Sequence, residues 1–552
     1  MNFELPPTGT EQPPAFTTAV AAQDWLGTVP MANAVQAQSM LLRQLNLLHR
    51  FTLPTEERFK ILEALRAPLC DVQDDAAKKY AAKPLPLAPH EQAALGTSLN
   101  VWMELALGYL RCFDESCGSV SASPEQLQKL REHCQADSRQ AAQAALMAQR
   151  AIAVFADWQL DLARGSQVPE PMYWQKLHQI LLATEILGIA SRPVHDPVHH
   201  GSMTTSALAA YAECCLIATA NVYELPARQL AWASRWARRW GAKLQLLTAP
   251  PEDIRNRAVP LWVDLESDRP PSYLPRQADG GRWLETTELR KSLVARITLL
   301  EQGRAPGELQ LGDDVTQPAA TVLLQRVLQR WCKGGATRRQ DRQPANAECA
   351  FVCGLENVHF ELSGRVPFRT PSRSDSMLRQ EREEFETFGN HSQRNAPASG
   401  KTDAHIESWR VVDESASGLR LRRPLKEGAR IGPGQVVAAR ITDGHYFVLG
   451  NVRWVLREGD NSLVAGLQLF PGEARPAAIR ALDATGTKSA WQQGFVLPAI
   501  PALKESASLI LPAGTFRLDR MVEVMVDQKT ETRKLFRVLD RGIEFERCNF
   551  YD

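Results

Sequence analysis

The sequence predicts a multidomain α + β protein. An N-terminal all-α array of helical hairpins leads into a small central α/β module and then a C-terminal β-barrel with a β extension. Three observations carry this. The chain has 552 residues, more than a single core accommodates. From about Ala32 to Gly241 apolar residues recur at three- and four-residue spacing. After Trp409 short β-branched and apolar runs follow one another, punctuated by Gly, Asp and Pro.

The first segment, residues 1–31, is rich in Pro, Thr and Ala, lacks periodicity and reads as a mobile arm. The helical region, 32–241, opens with "AVQAQSMLLRQLNLLHRF" and "TEERFKILEALRAPLCDVQDDAAKKYAA". In "SPEQLQKLREHC" Ser123 can cap, Pro124 suits the first helical position and Gln126 completes a capping box. "TSLNVWMELALGYLRC" and "MTTSALAAYAECCLIATANVY" resemble each other loosely, so stacked hairpins and a plain bundle both fit. Residues 242–364 read as a mixed module. It has strands in "KLQLLT" and "PLWVDLESDRPP", two helical patterns, and a strand-like "CAFVCGLENVHFELSG". Residues 365–408 are polar, rich in Arg, Ser and Glu, and read as a flexible linker. The barrel is expected over 409–483, with a helix-like stretch near Pro476, and the β-rich extension over 484–552.

Composition bounds the function. Hydrophobic content of 44% with 23% charged residues describes a soluble globular chain. A formal net charge of +1 gives no overall field to draw DNA, RNA or a membrane, so any polyanion site must be local. The N-terminus lacks a basic start followed by an apolar stretch, and no uncharged run reaches the roughly 18–20 residues of a membrane span. A cytosolic protein is expected, with its ten cysteines reduced. Cys214 and Cys215 fall in an apolar helical pattern. Cys349 and Cys353 have no second pair to complete a zinc site.

The stretch "WRVVDESASGLRLRR" is the sharpest local feature. Asp413 and Ser415 lie two apart on a strand, so they share a face. Gly418 permits a positive-φ corner. A carboxylate beside a hydroxyl can read the donors of a guanine edge; equally, both groups can bond the turn's own backbone. Between Ser415 and Arg430 five basic residues (Arg420, Arg422, Arg423, Lys426, Arg430) stand against one acid, Glu427. "YFVLGNVRWVL" puts Arg453 and Trp454 on a later strand, and "FRTPSRSD" holds Arg369 and Arg373 as an RxxxR pair upstream.

Other clusters read as structural. "HDPVHH" sets His195, Asp196, His199 and His200 in an expected loop. His359 reads as a strand residue, and Trp232, Trp236 and Trp240 as a core stripe four apart. "QEREEFE" reads as a solvated helix face. No GxSxG, phosphate-cradling glycine loop or HExxH is present, so no enzyme is expected.

With RxxxR followed by DxSxxG and then "NVRW…GLQLF", the chain resembles the PilZ family, bacterial receptors for cyclic di-GMP. "GLENVHFELSG" and "VDLESDRPP" also look like the central portion of large proteobacterial proteins that end in a PilZ domain. The resemblance implies a PilZ-like barrel that binds cyclic di-GMP as a regulatory ligand, with no cofactor. Its implied site is Arg369, Arg373, Asp413, Ser415, Gly418, Arg420, Arg422 and Arg453. It also implies a relay to a protein partner on the helical region, with no DNA or RNA. A degenerate barrel acting as a scaffold is the alternative. A single-stranded nucleic-acid binder is a third, for which the strands carry few aromatics. Arg373 precedes Asp413 by forty residues, a loop that can close because closure entropy grows slowly with length.

Overall fold

The structure is a computed structural model. It describes residues 5–9, 12–117, 138–251, 258–335, 342–370, 406–442, 444, 446–459, 461–482 and 488–551, with 125, 129, 131 and 132 besides. The start signal at Ser123 and most of the expected linker lie outside the described residues. The chain forms two compact units, residues 1–83 with 87–338, and 84–86 with 339–552.

In the first unit the apolar spacing yields helices α1 (Ala19–Leu26), α2 (Ala34–Arg50), α3 (Thr55–Ala77), α4 (Pro89–Cys117), α5 (Ser138–Arg164), α6 (Tyr173–Ile186), α7 (Pro197–His200), α8 (Ala207–Thr219) and α9 (Ala227–Trp240). Helix α5 is central and packs against α4 and α8, which carry the two look-alike segments. The expected mobile arm is instead part of the core. Phe16, Ala22 and Val29 are buried, Thr18 caps α1, and the Ala19 amide donates to Glu57 at 2.8 Å.

A short hairpin of β1 (Val194–His195) and β2 (Thr204–Thr205) frames α7, where a loop was expected. The expected module from 242 divides. Strands β3 (Gln245–Leu247), β4 (Leu261–Asp264) and β5 (Gly281–Glu285) form an antiparallel sheet in the order β3-β5-β4. Helices α10 (Thr287–Glu301) and α11 (Ala319–Cys332) follow. These join the helical core: Trp331 on α11 meets Trp240 edge-on at 6.3 Å and donates to the Leu216 carbonyl at 2.8 Å. Residues after 338 belong to the second unit.

That unit holds β6 (Gln343–Pro344), β7 (Glu348–Cys353), α12 (Leu355–Leu362), β8 (Glu407–Ser415), β9 (Gly418–Pro424), β10 (Val436–Ile441), β11 (Val448–Glu458) and β12 (Ser462–Leu469). Their order is β6-β8-β7-β10-β11-β12-β9, and β8 also pairs with β9, so six strands close on themselves with β6 as an appendage. Inside are Val411, Leu419, Leu421, Val455, Ala465 and Leu467, all buried. Strands β13 (Arg475–Ala481), β14 (Gln492–Leu497), β15 (Ser508–Pro512), β16 (Met521–Val526), β17 (Lys529–Arg541) and β18 (Phe545–Phe550) form a second closed barrel.

Several expectations are corrected here. The first barrel starts at β7, not at Trp409. The stretch at Pro476, expected to be helical, is strand β13 of the second barrel. His359 sits on helix α12 rather than a strand, with its ring against Phe495 and Phe368.

Candidate functional site

Register builds a polar row on the outer face of the first barrel. A bulge between Val411 and Asp413 shifts β8 so that Asp413 stands opposite Arg420 of β9. Arg420 stands opposite Gly466 of β12, and Gly466 opposite Trp454 of β11, itself just past a second bulge. Carboxylate, guanidinium, glycine and indole thus lie in one line across four strands. Gly466 is required there, because a Cβ would come within 2.2 Å of the Trp454 ring that lies over it. The next row sets Arg422 beside Val464.

The charges in this row are paired. Arg342 donates to Asp413 Oδ1 at 2.7 Å, and Arg420 Nη1 lies 4.0 Å from Asp413 Oδ2. Arg420 and Arg422 each donate to a different oxygen of Glu458, both at 2.9 Å. These groups remain half-exposed: Arg420 at 35%, Arg422 at 38%, Glu458 at 28%. Arg420 Nε is buried with no acceptor among the described residues. Ser415 ends β8 on the same side as Asp413, and its hydroxyl donates to the Gly418 carbonyl at 3.3 Å. The site therefore offers acceptors (Asp413, Ser415), a guanidinium pair and a flat indole. Those are the chemistries that recognise a purine edge, a phosphate and a purine face.

Three family models match consecutive stretches of the chain. They are described as the N-terminal domain of the cyclic-di-GMP receptor FimW, over residues 20–252, its middle PilZ domain, over 261–409, and the FimW C-terminal beta-barrel domain, over 477–552. The Cyclic-di-GMP receptor FimW of Pseudomonas aeruginosa is 23% identical over 565 residues, covering 94% of this chain and 88% of its own length. The three matches together cover most of the chain, and the middle one is to a PilZ domain. The middle PilZ match stops at Trp409 on β8, so Asp413, Ser415 and Gly418 lie beyond it, on the strands that complete the same barrel.

The expected site residues divide into groups. Asp413, Ser415, Arg420 and Arg422 come together. Gly418 is needed for a different reason than positive φ: a Cβ there would press to 2.7 Å against the Leu467 carbonyl of β12. Arg453 departs from the expected site, since its described ion pair is to Asp540 of β17 at 3.7 Å. Arg423 points inward, buried over the Trp409 ring at 4.9 Å and 3.2 Å from Glu407. Arg369 is exposed just after α12, next to Phe368, whose ring packs on His359. Arg373 lies outside the described residues. A second pair with the same spacing, Arg365 and Arg369, begins directly after the helix. Sequence reasoning missed Arg342 and Glu458 and named Trp454 without using it. Only the strand register identifies them.

The first unit holds a second charged cluster. Asp196, fully buried, takes both arms of Arg66 at 2.8 and 2.9 Å and the Gln149 amide at 3.0 Å. Arg150 joins it at 3.7 Å and grips Glu63 at 2.9 Å. Arg238 donates to Glu213 at 2.9 Å and to His199 Nδ1 at 2.8 Å, while His199 Nε2 is 3.0 Å from Asp157. Cys70, Asp157 and His199 place donor atoms within 4.8 Å of one another, beside a cavity of about 560 Å³. The Arg238 bond makes Nδ1 an acceptor, so Nε2 carries the proton that bonds Asp157. Asp157 and His199 are thus already engaged by Arg238, and the positive charge of that guanidinium opposes a cation there. Among the described residues no helix is long and apolar enough to cross a membrane.

Proposed function

We propose that this protein is a non-enzymatic receptor for cyclic di-GMP that binds the dinucleotide on the outer face of its first barrel and relays occupancy to a protein partner on the helical unit. One observation carries the reading: Asp413, Arg420 and Trp454 stand in a single cross-strand row beside Ser415 and Arg422. The name of the Pseudomonas relative supports the same ligand. In this reading Asp413 and Ser415 hold a guanine edge, Trp454 covers a purine face, and Arg420 with Arg422 takes a phosphodiester. Arg369 with Arg373 or Arg365 closes over the ligand from the segment after α12. Ordering of that segment is the event a partner reads, provided the ligand prefers the ordered state. No cofactor is needed. The described cysteines are free thiols, which suits a cytosolic setting.

A scaffold that binds no nucleotide is the second reading. It is favoured by the closed state of the site, where Ser415 bonds its own turn and Glu458 occupies both arginines. Calorimetric titration of the full chain with cyclic di-GMP separates the two. The receptor reading expects micromolar or tighter binding, weakened at least about tenfold by Asp413→Ala through loss of a charge-assisted bond. The Arg369→Ala/Arg373→Ala pair should weaken it as well. A wild type that gives no heat and no shift in melting temperature leaves the scaffold.

A further inference from the structure

The two arginines at the centre of the site are not waiting empty. Each gives one Nη2–H bond to a different oxygen of the same carboxylate, Glu458, at 2.9 Å. A carboxylate with two oxygens shared between two guanidinium groups is the same arrangement that a phosphodiester makes with its two free oxygens: one negative charge, two equivalent acceptors. Glu458 sits at the end of β11 on the hairpin into β12, opposite Ser462, so it reaches the arginines from the edge of the row. On the other side Arg342 occupies Asp413 from outside the closed ring of strands. The five charges are three guanidinium groups and two carboxylates, so the cluster keeps a net positive charge even while it is closed. Arg420 keeps a buried Nε–H with no acceptor among the described residues, a donor that Glu458 leaves unused.

We propose that Glu458 is a resident counter-ion that an incoming phosphodiester replaces, and that it sets the affinity and anion selectivity of the site. This rests on the receptor reading. In the closed state Glu458 holds Arg420 and Arg422 in line and lowers the local positive potential. On binding, a phosphodiester takes both Nη2–H bonds and Glu458 swings to solvent, which its half-exposed position allows. Ligands without a phosphodiester take no part in the exchange, so the carboxylate screens out weak monoanions and leaves the binding of plain guanosine untouched. The exchanged pairs are exposed enough to be weak, so the cost of displacement is small but measurable.

The test is calorimetric titration of the full-length wild type, Glu458→Gln and Glu458→Asp with cyclic di-GMP and with guanosine, at low and high salt. Glu458→Gln removes the competing charge at nearly constant size, and is expected to bind cyclic di-GMP on the order of tenfold tighter with a steeper salt dependence. Guanosine should be unaffected. Glu458→Asp, shortened by one methylene, should fall between. A wild type that binds alongside a Glu458→Gln protein that binds equally or more weakly overturns this inference and leaves the receptor reading standing. Equal gains for guanosine overturn it too, since the effect would not pass through phosphate. If neither wild type nor variant binds, both fall together. Should Glu458→Gln melt early, Glu458→Asp decides alone: affinity no higher than wild type refutes the exchange.

Discussion

Arginine–carboxylate networks occur in both units, and they differ in one property that decides their roles. In the helical unit Arg66 and Asp196 are 1% and 0% exposed. On the barrel Arg420 and Glu458 are 35% and 28% exposed. The geometry is otherwise alike, with bonds of 2.8 to 2.9 Å in both. A buried charge that loses its partner has no water to turn to, so the first network is locked and serves the fold. The half-exposed network can trade one partner for another at little cost, which is the condition for a site. A cluster rich in arginine is therefore not in itself a sign of ligand binding. Solvent access to the bond being exchanged is what separates the two.

The largest effect that could break this contrast is on Asp196. Asp196→Ala leaves Arg66 buried with no carboxylate and Arg150 with one fewer, and should cost about 3–5 kcal/mol in urea unfolding. A loss near the ~1 kcal/mol of a surface pair would show the helical network to be exchangeable after all. A smaller effect comes from pH. Burial pushes the Asp196 carboxyl up, but bonds and charge from Arg66, with Arg150, hold it well below the usual range. A carboxyl depressed in the folded state contributes stability above its unfolded value of roughly 3.9, and loses it as pH falls toward the folded value. The wild-type urea midpoint should therefore drop between pH 6 and pH 3 by more than that of Asp196→Asn. Parallel curves would remove Asp196 as the source. The smallest effect is at Arg453, whose partner is Asp540. Arg453→Ala should change stability by less than about 1 kcal/mol and leave nucleotide titration unaltered. A clear loss of binding would extend the site toward the second barrel.

Legibility in the sequence followed the range of the interactions. Helices α2, α3 and α9 were readable because their apolar spacing is local. The same holds for the Trp232, Trp236 and Trp240 stripe, which lies in the core. Asp413 and Ser415 were readable as a pair because strand period alone puts them on one face. What failed depended on distant partners. Pro476 with its alanines resembles a helix start, yet its position on β13 is set by pairing to Phe495 of β14. The arm over residues 1–31 lacks periodicity, but Phe16 and Val29 find the helical core one by one. Asp196 looked like a loop residue because Arg66 lies far away in sequence. At the site, Arg342, Glu458 and Trp454 join Asp413 through two bulges and three strand registers, none of which leaves a local signature.

The position of β7 has a practical outcome for anyone cutting this chain into pieces. That strand sits between β8 and β10 in the sheet, yet in the chain α12 and a long polar segment separate it from β8. A fragment begun at Trp409, where composition invites the scissors, would omit it and expose the hydrogen-bonding edges of two neighbours. Such open edges recruit other copies, so the excised piece should precipitate or swap strands. One begun ahead of Gln343 retains the missing stave and gives the barrel its chance to close.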